Sequence, residues 1–184
     1  MFIKWSLHMR KNLLAAAVAL AVTASALAMT RPAEIADSIN ATRPYGSGSL
    51  SWLFLTAYDA SLWTDAAQWS MNEPFALTLV YRMSFSTEEL VDRTINEMKA
   101  IAPGISDVRL DRYRAALSRA FPSVKSGDRI TALHTPGAAV SFFHNGKPAG
   151  DSHDATLAEP FFAIWLSPKT PEPKLRAALL RLPG

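Results

Sequence analysis

The hydrophobic period of this chain changes abruptly at Ser86, and the same change recurs further on. Before Ser86, side chains in 50–63 and 75–82 sort into two alternating faces, the repeat of a strand, here with both faces partly covered. In residues 50–63, Leu50, Trp52, Phe54, Thr56, Tyr58, Ala60 and Leu62 share one face by this count. The segment reads as one long strand, or as two strands joined at a bulge. A turn at Asn72-Glu73-Pro74 leads to a further strand over 75–82. Ser86-Thr87-Glu88-Glu89 then has the spacing of a capping box, and Val91, Thr94, Ile95, Met98 and Ile101 lie on one helical stripe. Pro103-Gly104 ends that helix. A second helix, roughly 106–120, buries Leu110, Tyr113, Leu117 and Ala120.

The strand period returns at 129–134 and 138–144, around Pro136-Gly137, and Asn145-Gly146 is a strong turn signal. Two helical segments close the chain, at 155–166 and 174–181. Pro160 inside the first should kink it or mark its effective start. Thr170-Pro171 offers an N-cap followed by proline for the second. Residues 31–48 carry Pro32, Pro44, Gly46 and Gly48 and read as a lead-in with one short helical turn. Strands, two helices, strands and two helices, with tight turns joining the later strands, predict an α+β domain. Its sheet should be mostly antiparallel, with the helices gathered on one face.

The first 28 residues stand apart from this pattern. Lys4, Arg10 and Lys11 precede an acid-free apolar run from Leu13 to Ala28 that ends in Ala26-Leu27-Ala28. This is the layout of a secretory signal. A membrane anchor is the competing reading, but the run falls short of the roughly 20 residues that span a bilayer. Cleavage is expected after Ala28, with Ala24-Ser25-Ala26 as a second site. The expected division is a signal peptide at 1–28 and one domain at 29–184, periplasmic or secreted, with no stable membrane insertion after cleavage. The chain has no cysteine, so a lipid-modified anchor is excluded and the fold must rest on its core.

Charge narrows the partners. Taking Lys4, Arg10 and Lys11 from the 19 basic residues leaves 16, equal to the 16 acidic ones. A nucleic-acid binder needs a basic surplus to displace counterions from phosphates, so nucleic acid is set aside. His134 and His144 flank one hairpin and could be cross-strand neighbours, and His153 follows the next turn. Their spacing fits no compact metal motif; neither metal nor cofactor is expected. Gly46-Ser47-Gly48-Ser49 precedes a strand, so it is neither a nucleophile elbow nor a phosphate loop. The remaining candidates are Thr56 and Tyr58, polar groups on an apolar strand face that could orient a ligand in a pocket. The bland alternative is that Thr56 fills core and Tyr58 anchors its phenol at the sheet edge.

In their order and spacing, Gly46-Ser47-Gly48, the run from Leu53 to Trp63, Phe121-Pro122, Gly127-Asp128, Phe142 to Lys147 and Phe161 to Leu166 resemble the chalcone isomerase-like family. The similarity is greatest to its exported bacterial branch. The resemblance implies an open-faced sandwich, a large antiparallel sheet roofed by helices with a cleft between them. It also implies one of two activities: intramolecular ring closure of chalcones, or fatty-acid binding without catalysis. The enzymes hold the substrate phenolate with an arginine, and Leu50 occupies that position here. The catalytic threonine corresponds to Thr56. A tyrosine, a lysine and an asparagine correspond to Ser86, Glu89 and Arg93. Losing the guanidinium removes the charge-assisted hold on an anion, unless Arg43 or Arg82 points inward.

The expectation is a non-catalytic protein binding a small apolar or amphipathic ligand in the sheet–helix cleft, with Thr56, Tyr58 and Arg82 orienting it. The alternatives are an isomerase of enone or phenolic substrates, and an envelope interaction module with a filled core.

Overall fold

The computed structural model describes residues 30–183; the expected export signal at 1–28 lies outside them. Six strands form one antiparallel sheet in sequence order: β1 (Gly46–Trp52), β2 (Leu55–Trp63), β3 (Phe75–Tyr81), β4 (Arg129–His134), β5 (Ser141–His144) and β6 (Lys147–Asp151). Four helices pack on one face: α1 (Thr87–Ile101), α2 (Asp107–Ala120), α3 (Ala158–Leu166) and α4 (Pro173–Leu180). The α+β architecture is therefore the one the change of period predicts.

Local chemistry accounts for the boundaries. Ser86 Oγ accepts from the Glu89 amide while Glu89 Oε2 accepts from the Ser86 amide, so the capping box forms as expected. Helix α3 begins at Ala158, which leaves Pro160 in the first turn, where its missing N–H costs nothing. A 3-10 turn, Ala155–Leu157, leads into it. The last helix starts at Pro173 with Glu172 as N-cap, one turn beyond the expected Thr170-Pro171. Thr170 instead donates from its hydroxyl to the Ile164 carbonyl and ties the α3–α4 connection. The sixth strand was not expected: Lys147-Pro148-Ala149-Gly150 has turn composition, yet it pairs with β5 through a register shift at Phe142/Phe143.

The core lies between the sheet and the helices. From the sheet come Ala60, Leu62, Phe75, Leu77, Leu79, Ile130, Ala132 and Phe142, and from the helices Val91, Met98, Leu117, Phe161, Phe162 and Leu179. Edge-to-face rings interlock through it: Phe75 on Phe162 at 4.6 Å, Phe121 on Phe142 at 5.2 Å, Phe161 on Trp165 at 5.4 Å. The sheet's other face carries a smaller cluster. There the lead-in segment lays Ile35 and Ile39 over Trp63, Ala76 and Leu133. Glu34, its side chain 2% exposed, accepts from Thr131 Oγ1 at 2.8 Å and from Arg129 Nη2 at 3.0 Å. The expected helical turn is the 3-10 turn Ala33–Ile35, and it serves as a strap over Trp63, Ala76 and Leu133 on the open face.

Candidate functional site

The long alternating segment is interrupted twice, and the interruptions decide which residues meet. Trp52 pairs with Leu55, so Leu53 and Phe54 form a two-residue turn, with Leu53 at φ +55°. The ladder then slips: Leu50 pairs with Tyr58 but Ser51 pairs with Thr56, leaving Ala57 as a bulge. The Ala57 carbonyl accepts from the Arg82 amide instead. An extra residue inverts side-chain parity. Thr56 and Tyr58, two apart in sequence and expected on one wall, therefore lie on opposite faces of the sheet.

Tyr58 points under the helices. Its hydroxyl accepts from the Trp165 indole N–H at 2.8 Å, and its ring meets Tyr81 edge-on at 6.0 Å. Burial pushes the Tyr58 phenol up to about 12, the Trp165 bond opposes that, and the nearby Glu172 adds to it. Tyr81 is raised too, by burial first and then by Tyr58. Leu50, at the position where the resemblance places an arginine, pairs with Tyr58 and packs against this same core. Of the other positions compared, Glu89 is held in the capping box and Arg93 pairs with Glu97 at 2.7 Å.

Thr56 points to the open face, where its hydroxyl shares a 3.1 Å hydrogen bond with Ser51. Arg82 reaches the same side. Its Nε and Nη2 donate to Asp59 Oδ2 at 2.7 and 2.5 Å, and Ser49 Oγ donates to Asp59 Oδ1 at 2.5 Å. These groups line a concavity of about 610 Å³. Ser47, Ser49, Thr56, Asp59, Ser61 and Arg82 line its polar part; Phe54, Leu55 and Met83 line its apolar part, at the tip of the β1–β2 turn and beside it. Two of the three expected site residues, Thr56 and Arg82, are thus brought together, on the face opposite the third. Arg43, the other candidate for the missing cation, is exposed.

His134 and His144 are not neighbours. His134 is buried against Phe75 and bonds the Met71 carbonyl through Nε2 at 2.8 Å. His144 pairs with Ile130 at the other end of β4, beside Asp128. No cluster of three or more His, Cys, Asp or Glu suited to a metal occurs among the described residues. No helix among them is long and apolar enough to cross a membrane.

The family model described as chalcone isomerase-like matches residues 45–181, from the approach to β1 to the end of α4. The chain belongs to the chalcone isomerase-like family. Among solved structures, the fatty-acid binding protein of Arabidopsis thaliana matches this chalcone isomerase-like chain with a TM-score of 0.57 at 12% identity. The match covers 75% of this chain and 86% of the plant protein. At that identity the likeness speaks for the fold. No curated protein matches the sequence.

The sequence singled out Thr56 and Arg82 and passed over Asp59, Ser49 and the apolar side chains that line the same concavity. The signal for Asp59 was present: it is the one charged residue between Arg43 and Asp65. In a strand with both faces partly covered, such a charge needs a partner.

Proposed function

We propose that this chalcone isomerase-like protein is an exported carrier of a small amphipathic ligand, with a fatty-acid-like or phenolic body and one polar end. The reading rests on one observation: a concavity of about 610 Å³ is lined by apolar side chains, Phe54, Leu55 and Met83, and by hydrogen-bonding ones, Ser49, Thr56 and Arg82. Its volume falls in the range of small-molecule sites. Asp59 occupies Nε and Nη2 of Arg82; Nη1 remains to donate to a ligand oxygen. Between sheet and helices, where the cleft was expected, the rings of Phe75, Phe142, Phe161, Phe162 and Trp165 interlock.

The test is equilibrium binding of a series of fatty acids and phenolic acids to the purified protein, followed by fluorescence displacement. Arg82→Gln and Thr56→Val should weaken binding by about tenfold or more, the loss of one charge-assisted hydrogen bond. Tyr58→Phe should leave it unchanged. The structurally similar plant protein, a fatty-acid binding protein, supports an acyl ligand as the first probe.

Tyr58 supports a second reading. Its hydroxyl lies in the sheet–helix layer beside Tyr81, whose own hydroxyl has no hydrogen-bond partner among the described residues. A ligand between sheet and helices would meet these two phenols. Loss of binding in Tyr58→Phe, with Arg82→Gln silent, would move the site there. An isomerase reading is tested in the same samples by enone turnover, since Thr56 and an arginine do share one wall. Turnover abolished by Thr56→Val would replace the carrier assignment. Export with cleavage after Ala28 is tested by intact mass: the exported protein should begin at Met29.

A further inference from the structure

The turn between β1 and β2 lacks the residues that mark the β4–β5 and β5–β6 hairpin turns. The β4–β5 turn places Gly137 at positive φ and the β5–β6 turn places Asn145 and Gly146 there, residues that take it readily; outside the hairpins His153 and Arg181 also stand at positive φ, but both are polar. The β1–β2 turn places Leu53 at φ +55° and follows it with Phe54. Leu53 is 83% exposed, Phe54 100% and Leu55 62%, and Met83 stands beside them. A strained, wholly exposed apolar turn is unfavourable in the free protein, so its presence calls for a partner.

We infer that this turn is a wedge that enters the interface of a lipid bilayer and brings the apolar part of the groove to the acyl layer. Three observations favour lipid over protein. First, residues 44–58 contain no charged side chain, so nothing ionic has to be desolvated as the turn sinks in. Second, the apolar surface is a convex tip of three consecutive residues, far short of the roughly 800 Å² per partner that a stable protein interface buries. A bilayer closes around such a tip without needing a complementary surface. Third, Phe54 and Leu55 belong both to the tip and to the groove, so an inserted tip leaves the groove opening toward the acyl chains. The inference rests on the carrier reading and names where the ligand is loaded. The Asp59–Arg82 pair in the groove is internally neutral, so the contact is apolar and indifferent to lipid charge.

The experiment is flotation of the exported protein with phosphatidylcholine vesicles, with and without a fifth of anionic phosphatidylglycerol, at low and high salt. The wild type should partition onto both, independently of salt. The double variant Leu53→Ser/Phe54→Ser should lose tenfold or more of that partition while keeping its melting temperature, because both side chains lie in solvent. Fatty-acid affinity in vesicle-free solution is measured on the same samples. If it persists while neither protein floats, the wedge is overturned and the carrier reading stands. If flotation behaves as expected but no ligand binds, the carrier reading fails alone. Equal flotation of both proteins, binding only to anionic vesicles, or a wild-type dimer that the double variant abolishes would each overturn the inference, the last by assigning the tip to a second copy.

Discussion

Replacing Tyr58 with phenylalanine removes one oxygen and two distinct contributions. The first is the acceptor for Trp165. That indole N–H is buried and donates to Tyr58 Oη at 2.8 Å. An orphaned buried donor costs about 1–3 kcal/mol. In a domain of this size each kcal/mol moves the melting temperature by roughly 2–4 °C, so a fall of about 2–12 °C is expected. The double variant Tyr58→Phe/Trp165→Phe should cost less than the sum of the single losses, because the unpaired N–H goes with the indole. The second contribution appears at alkaline pH. Folding raises the Tyr58 phenol from 10.0 to about 12. A raised value means that the folded chain holds the proton more tightly, so the full contribution is present below pH 10 and is lost as pH climbs to 12. Over that window the wild type should lose up to about 1.4 kcal/mol per pH unit from this group; Tyr81, raised for the same reason, adds its own share. Urea unfolding at pH 8, 10 and 11 measures both. Tyr58→Phe should be weaker at pH 8 and should show the shallower decline. Unchanged stability at pH 8 together with an unchanged alkaline slope would refute the account of this site.

Glu34→Ala should cost about 2–4 kcal/mol in urea unfolding, less than a fully buried ion pair because Arg129 is a quarter exposed; Glu34→Gln, which keeps an acceptor for Thr131, should cost less. Gly46→Ala should destabilise by about 1–3 kcal/mol or more, because its new Cβ would lie 2.2 Å from the Leu179 carbonyl oxygen; a neutral result in thermal unfolding would contradict the packing of α4 on β1. Leu53→Gly should raise stability by about 0.5–1 kcal/mol, by relieving the left-handed backbone, and should lower vesicle partition.

The architecture was legible wherever a period ran long enough. The stripe of α1 and its capping box appear in the structure as the sequence gives them, since local spacing and local hydrogen bonds coincide there. The site was less legible, for a reason confined to five residues. Leu53, Phe54 and Leu55 are all apolar, so the alternation runs straight through a turn that carries no glycine, asparagine or proline to mark it. The bulge at Ala57 is silent as well, and a slip of one residue carries Thr56 to the other face. The strap was invisible for a different reason. Ile35 and Ile39 are too few to form a period, and Glu34 gains its partners 95 and 97 positions away. In β6, lysine, proline and glycine are what an edge strand tolerates, and in sequence the same residues read as a turn.

Gly46 and Gly48 let α4 lie directly on the β1 backbone, with Leu179 and Ala178 filling the space a side chain would take. For a molecule held in the groove this creates two unlike ends. The serine-lined base is clamped from behind by a helix and keeps its dimensions, whereas the rim past the bulge has only solvent around it and can yield. On the carrier reading, such a groove would be exacting about the terminal group it admits and lenient about the length of what trails behind. A homologous series of acids should therefore bind with nearly constant affinity until the terminal oxygens are altered.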